Sequence, residues 1–129
     1  MDNKIISNWV RQARYRAKTN TLLSDLEMED VHNIITFYNG KCAYCGVVAE
    51  TLDHPFPLRN SAPNVPANVL PICKACKNTK KNHDVVWMYN NNHISQQEYL
   101  KIMQFILDQR GGDAIKYHVR QATGMIDEQ

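Results

Sequence analysis

The chain has 129 residues, of which 43% are hydrophobic and 22% charged, and its formal net charge is +2. This composition suits one folded domain with a modest core and excludes a disordered or low-complexity chain. The apolar runs are far shorter than the roughly 20 residues of a membrane-spanning helix, and no apolar segment typical of a secretory signal follows Asp2 and Asn3. We expect no membrane association and a reducing, cytoplasmic setting.

The charges are unevenly distributed along the chain. Residues 1–20 carry five basic residues against Asp2 alone, and residues 71–83 carry four lysines and no acid. Residues 21–40 hold four acids and no base. If folding brings the two basic segments together, they create a positive field that attracts phosphates; otherwise they are two solvated helix faces.

Two helices are predicted before residue 41. Apolar residues recur at helical spacing from Ile5 to Ala17, so residues 4–18 are expected to form an amphipathic helix with a basic face. The same spacing returns from Val31 to Tyr38, and Gly40 supplies a helix stop.

Two short strands and a basic helix are predicted next. Residues from Val47 to about His54 suit one strand, and 69–72 suit a second. The segment 55–66 between them is rich in proline and asparagine, which disfavour regular structure. A short basic helix is expected to begin near Lys74.

The last third of the chain predicts helices that support the rest. Asp84 is placed to cap one helix, and Ser95 with Glu98 forms a capping box for a longer one that Gly111 and Gly112 close. Residues 113–122 suit one more short helix. The large apolar side chains of this region are expected to pack in a core: Trp87, Met88, Met103 and Phe105.

Four cysteines form two Cys-x-x-Cys pairs, Cys42 with Cys45 and Cys73 with Cys76, separated by 27 residues. Two such pairs can converge on one tetrahedral zinc ion, with each short spacing turning both sulfurs inward. Disulfides or a redox motif are the alternatives. A reducing compartment argues against disulfides, and two redox motifs in so small a domain would be unusual. A structural zinc site is the favoured interpretation.

Asp53 and His54 stand at the end of the first predicted strand, and Asn68 stands just before the second. Pro55 ends the strand here, so the two neighbouring side chains need not point to opposite faces. An aspartate can bind a hard divalent cation while an adjacent, unligated histidine takes a proton from water. An isolated histidine is more often structural, so the dipeptide alone is a weak signal.

The ordered combination resembles the HNH endonucleases with a four-cysteine zinc centre. The resemblance covers about 40 residues, and the segment around Arg11 and Arg14 is similar to the basic segment that often precedes such cores. The matching strings are Cys42-Ala43-Tyr44-Cys45-Gly46, Leu52-Asp53-His54-Pro55-Phe56-Pro57-Leu58-Arg59 and Ala67-Asn68-Val69-Leu70-Pro71-Ile72-Cys73-Lys74-Ala75-Cys76, followed by Lys80.

The resemblance implies an α+β, mainly helical fold with a ββα-metal core, also called a His-Me finger. Residues 1–129 would then be one HNH domain: N-terminal helices in 1–40, the zinc-centred core in 41–83 and supporting helices in 84–129. It further implies His54 as the general base, Asp53 as a ligand of a catalytic Mg²⁺, Mn²⁺ or Ni²⁺, and Asn68 as the residue that braces the loop. The zinc held by the cysteines would be structural, and cleavage would leave 5′-phosphate and 3′-hydroxyl ends.

Lys77 departs from the family pattern, which usually places histidine or asparagine directly after the last cysteine as a metal ligand. A protonated lysine has no lone pair for a cation. Asn78 could take the ligand role through a small change of helix register, His83 could reach in from further along, or Asp53 could be the sole protein ligand. We favour Asn78, because His83 lies seven residues past Cys76.

DNA, as a duplex or a structured substrate, is the expected partner, gripped electrostatically along its backbone. The residues expected to contact it are Arg11, Arg14, Lys18, Arg59, Lys74, Lys77, Lys80 and Lys81. Small free-standing proteins of this family occur in phages and bacteria, which implies the cytoplasm of a bacterium or of an infected host.

The sequence thus predicts a metal-dependent DNA endonuclease that mainly nicks, because double-strand cleavage needs two active sites or two visits. The rival is a catalytically weak or inactive zinc module that binds nucleic acid or a protein partner. Lys77 is the residue that separates the two hypotheses.

Overall fold

The computed structural model describes residues 1–123 and has a mixed α/β architecture in which helices surround a small sheet. The described helices are α1 (Asn3–Thr19), α2 (Met28–Phe37), α3 (Lys74–Lys80), α4 (Val85–Asn90), α5 (Gln96–Asp108) and α6 (Gly112–Thr123). The strands are β1 (Thr51–Asp53) and β2 (Leu70–Ile72). No helix within residues 1–123 combines the length and the apolar character needed to cross a bilayer.

The two strands are antiparallel, with Thr51 opposite Ile72 and Asp53 opposite Leu70. β1 is shorter than the sequence predicts. Val47 and Val48 are 55% and 71% exposed and follow the cysteine turn. The Cys42 N–H donates to the Val47 carbonyl, and Val48 forms only an isolated bridge with Lys41. Regular pairing begins only at Thr51, so Asp53 and His54 stand where the sheet ends.

Helix boundaries follow the predicted caps. The Asp84 carboxylate accepts from the Trp87 N–H at the start of α4, and Ser95 and Glu98 form the expected capping box of α5. α5 ends at Asp108, and Gly111 adopts a positive φ of 90° before α6. A Cβ at Gly111 would lie 2.7 Å from the Val65 Cβ, so this glycine allows the α5–α6 junction to pack against the loop between the strands.

The core joins all parts of the described chain. One cluster of buried apolar residues includes Ile6 in α1, Leu52 in β1 and Ile115 in α6. Met88, Met103 and Phe105 are buried as predicted. Trp87 is half-buried, packs against the same core and stacks on the rings of His83 and His93. The helices α5 and α6 pack against the loop between the strands, at Pro66–Asn68.

Two substitutions on α5 test this packing. Ile102 is 0% exposed and Leu100 is 57% exposed, so both can be changed to alanine within one helix. We expect Ile102→Ala to lower the free energy of unfolding by about 2–5 kcal/mol and Leu100→Ala to change it by less than about 0.5 kcal/mol. Urea unfolding followed by circular dichroism measures both, and equal losses would contradict the assigned core.

Candidate functional site

The four cysteines converge, as predicted. Their sulfur atoms all lie within 4.8 Å of one another, and the Sγ atoms of Cys45 and Cys73 are 3.6 Å apart. Four thiolates at about 2.3 Å from a tetrahedral zinc ion would lie about 3.8 Å from each other. The donor set and its spacing therefore fit one zinc ion, and all four thiols are free of disulfides.

Each pair is shaped by a local turn. Gly46, with a positive φ of 83°, donates its N–H to the Cys42 carbonyl and so folds the first pair back on itself. Cys73 is the N-cap of α3, and its Sγ accepts from the Cys76 N–H at 3.4 Å. The cluster thus connects the turn before β1 to the junction of β2 and α3.

We expect one zinc ion per purified chain by elemental analysis. Cys76→Ser should reduce the zinc content sharply, and removal of zinc by a strong chelator should abolish the near-UV circular dichroism signal, because structural zinc supplies folding free energy. Added zinc should restore that signal. A zinc-free protein that is equally stable, or one with two disulfides, would contradict this assignment.

Asp53 is buried at the end of β1 and both of its carboxylate oxygens have partners. Its Oδ2 accepts from the Tyr44 hydroxyl at 3.0 Å, and its Oδ1 lies 3.3 Å from the Lys80 Nζ. Burial, and next the charge of Asp53, raise the pKa of Tyr44 well above its usual value, so this hydroxyl keeps its proton. The Lys80 Nζ also donates to the His54 carbonyl at 3.1 Å.

His54 is 7% exposed, and its ring stacks on Trp9 with centroids 5.0 Å apart. Its Nε2 lies 2.9 Å from the Asn64 Oδ1, while the Asn64 Nδ2 donates to the Ser24 hydroxyl. Because an amide oxygen only accepts hydrogen bonds, Nε2 carries the proton and Nδ1 keeps its lone pair. Burial lowers the pKa of His54 to about 4, so the ring is neutral at pH 7.

Asn68 clamps the loop that follows His54. Its Oδ1 accepts from the Phe56 N–H, and its Nδ2 donates to the Phe56 and Pro63 carbonyls, all at 2.8–2.9 Å. The residue is completely buried. These bonds hold both ends of the proline-rich loop, consistent with the bracing role that the resemblance implies.

Asp53 and His54 border a cavity of about 240 Å³ that is strongly cationic. Five of its lining residues are basic, namely Arg16, Arg59, Lys77, Lys80 and Lys81, and Asp53 is the single acid among them. Lys77 donates from Nζ to the Leu52 carbonyl at 2.8 Å. Burial lowers the pKa of Lys77, and the charge of Asp53 opposes this change. The arrangement suits an anion.

The residues predicted to bind nucleic acid occupy different positions. Arg59, Lys77 and Lys81 line the cavity, and Arg11 lines an adjoining groove of about 730 Å³. Arg14 is paired with Glu27 at 3.0 Å and with the Leu26 carbonyl, which ties α1 to the start of α2. Lys18 and Lys74 are exposed and line neither space.

Lys80 also lines the cavity, but it is buried, with only 1% of its surface exposed. α3 has only seven residues, and its face toward β1 includes Lys80, whose ammonium is held by Asp53 and the His54 carbonyl. A charge pattern cannot distinguish such a lysine from its exposed neighbours.

The expected divalent cation at Asp53 does not fit the residues around it. Both carboxylate oxygens are engaged, one of them by an ammonium group. Asn78, the favoured second ligand, is exposed on α3 and does not line the cavity. His83 instead stacks on Trp87, with centroids 4.0 Å apart. The donor set that a cation such as Mg²⁺ requires is not assembled here.

Four residues of the site were not predicted from the sequence. Arg16 lines the cavity together with Trp9, and their spacing of seven residues on α1 is a signal that could have placed them on one face. Asn64 is completely buried against His54, but its contacts come from residues far apart in sequence. Tyr44, which bonds Asp53, lies inside the first cysteine turn, where no pattern reveals it.

Comparisons with known proteins leave the family of this chain open. No protein-family model matches the sequence, and no curated protein matches it either.

The pKa of His54 makes the stability of the protein depend on pH. The folded-state value of about 4 lies below the roughly 6.5 of an unfolded histidine, so the unfolded state binds more protons in between. The free energy of unfolding should therefore fall as pH drops from about 6.5 to about 4, by about 3 kcal/mol in total. The charged groups facing the ring are Asp53, Arg16 and Lys80.

Urea unfolding at a series of pH values measures this slope in the wild type and in His54→Gln, a variant that keeps a hydrogen-bond donor toward Asn64. The informative quantity is the difference between the two, since acid loss of zinc affects both equally. We expect a flatter profile for the variant, and parallel profiles would contradict the assigned pKa.

Proposed function

We propose that this protein is a DNA endonuclease of the HNH type, a phosphodiester hydrolase in which His54 is the general base. The observation that carries the proposal is the cationic cavity that His54 lines, with its neutral imidazole oriented by Asn64. A phosphodiester is an anion, and its hydrolysis requires a base and positive charge at one place. Both features meet here.

The order of the elements supports the family assignment. β1, β2 and α3 follow one another in the chain, the four-cysteine cluster lies beside them, and Asn68 clamps the intervening loop. We interpret these as the two strands and the helix of a ββα core with a structural zinc ion. The three strings that match the family pattern lie within residues 42–76, which contain this unit.

In the proposed reaction, a water molecule beside His54 gives a proton to Nδ1 as its oxygen attacks phosphorus. The new P–O bond forms while the bond to the leaving oxygen breaks, and that oxygen takes a proton from solvent. Asn64 holds the ring through Nε2, and Trp9 fixes its plane. Arg16, Arg59 and Lys77 supply positive charge to the phosphate oxygens.

A nucleic-acid-binding module without cleavage is the second candidate. It is favoured by one observation, the low pKa of about 4 for His54, since a base with so low a pKa accepts protons weakly near pH 7. The zinc cluster and the cationic cavity would serve binding equally well. The two candidates differ only in whether the bound phosphodiester is cut.

The test is nicking of supercoiled plasmid by the zinc-loaded protein, assayed with and without added magnesium or manganese. We expect the wild type to convert supercoiled into open circular DNA and His54→Ala to be slower by about 10²–10⁴-fold, the usual contribution of a general base. Retained DNA retardation in a gel would show that the variant still binds.

His93→Ala is the matched control, because His93 is exposed and stacks on Trp87 away from the cavity. It should nick at the wild-type rate. If wild type and His54→Ala show the same background nicking while both retard DNA, the binding module is the correct function and the proposed nuclease is wrong.

A further inference from the structure

We propose that lysine ammonium groups replace the divalent cation in this site, so that phosphodiester cleavage proceeds without one. Lys77 is the group that contacts the phosphate, and Lys80 is a positioning residue that occupies Asp53. This inference rests on the proposed function. The resemblance leads one to expect a bound metal ion as the positive charge in the site. Here the two lysines supply that positive charge themselves.

The first step concerns Asp53, whose two carboxylate oxygens each have a partner within the protein. Oδ2 accepts the Tyr44 hydroxyl at 3.0 Å, and Oδ1 faces the Lys80 ammonium at 3.3 Å. Its negative charge is therefore already balanced inside the protein. A cation that used this carboxylate would have to compete with an ammonium that is part of the fold.

The second step concerns Lys80, whose side chain cannot easily leave. It is 1% exposed, and its Nζ is shared between Asp53 and the His54 carbonyl. A buried ammonium is tolerated only with such partners. A divalent cation on Asp53 would place two further positive charges next to it, where the low local dielectric strengthens repulsion.

The third step concerns Lys77, which stands where a family member carries a metal ligand. One of its three N–H groups donates to the Leu52 carbonyl at 2.8 Å, which fixes Nζ at the edge of β1. The remaining donors belong to a group that lines the same cavity as His54. Lys77 therefore brings a positive charge to the cavity that His54 lines, where charge would develop on the phosphate.

The bond changes are those of hydrolysis, and no oxidant or further reactant is needed. Water loses a proton to His54 Nδ1 and forms a P–O bond, the bond to the leaving oxygen breaks, and solvent protonates that oxygen. Lys77 donates hydrogen bonds to a phosphate oxygen throughout and keeps its own proton.

The decisive experiment uses zinc-loaded protein in buffers freed of other divalent ions by a chelating resin, because a soluble strong chelator would also remove the structural zinc. Plasmid nicking is measured before and after adding millimolar magnesium or manganese. We expect both metals to change the wild-type rate by less than about threefold, and Lys77→Met to lower it by about 10²-fold or more, as for loss of one charge-stabilising donor.

Lys77→Arg tests the charge itself and should retain part of the activity in the same metal-free buffer. The control is Lys116→Met, an exposed lysine on α6 that lies outside the cavity, and it should nick as the wild type does. Zinc content and circular dichroism verify that each variant is folded. Wild-type nicking that requires magnesium or manganese would overturn this inference and leave the nuclease proposal standing.

Direct manganese binding gives a second readout that does not depend on activity. Electron paramagnetic resonance of free Mn²⁺ is followed while zinc-loaded protein is titrated, in the wild type and in Asp53→Asn. We expect the wild type and Asp53→Asn to give identical titrations, and neither protein to bind Mn²⁺ with millimolar or better affinity. One Mn²⁺ bound by the wild type and not by Asp53→Asn would overturn this inference, whether or not the protein cleaves DNA. Absence of nicking under every condition would instead refute the nuclease proposal.

Discussion

A buried ion pair between Asp53 and Lys80 governs the geometry of the site. It joins the end of β1 to the end of α3. The same ammonium donates to the His54 carbonyl and so fixes the backbone that carries the imidazole. Burying two charges is costly, and removing one partner of such a pair typically costs about 3–5 kcal/mol. The pair is better understood as a positioning device than as a source of stability, because it leaves both the carboxylate and the imidazole in one defined arrangement.

Three other parts of the structure hold this unit in place. The four-cysteine cluster connects the turn before β1 to the start of α3, which sets the helix at a fixed distance from the sheet. Asn68 clamps the loop between the strands, and the α5–α6 junction packs on that loop through Gly111 and Val65. α1 contacts β1 and contributes Trp9 and Arg16 to the cavity.

Local patterns predicted the helices and several of their caps, since these depend on spacings within a few residues. The convergence of the two cysteine pairs followed from the four-thiolate preference of zinc and not from local spacing alone. The strand beginning at Val47 was placed too early because two exposed valines in a turn resemble a strand in sequence. The burial of Lys80 could not be predicted, because tertiary packing decides which face of a seven-residue helix meets the sheet. The contact of Asn64 with His54 is likewise invisible to a single sequence, because its other partner, Ser24, lies 40 residues away.

The most direct measurement of the central claim is a crystal structure of the zinc-loaded protein bound to a short DNA with an uncleavable phosphodiester, grown with manganese and recorded at the manganese absorption edge. We expect the phosphate to lie between His54 and Lys77, with Lys80 still paired to Asp53 and no manganese beside that carboxylate. A manganese ion coordinated by Asp53 with the Lys80 ammonium displaced, or a phosphate bound away from His54, would contradict this account.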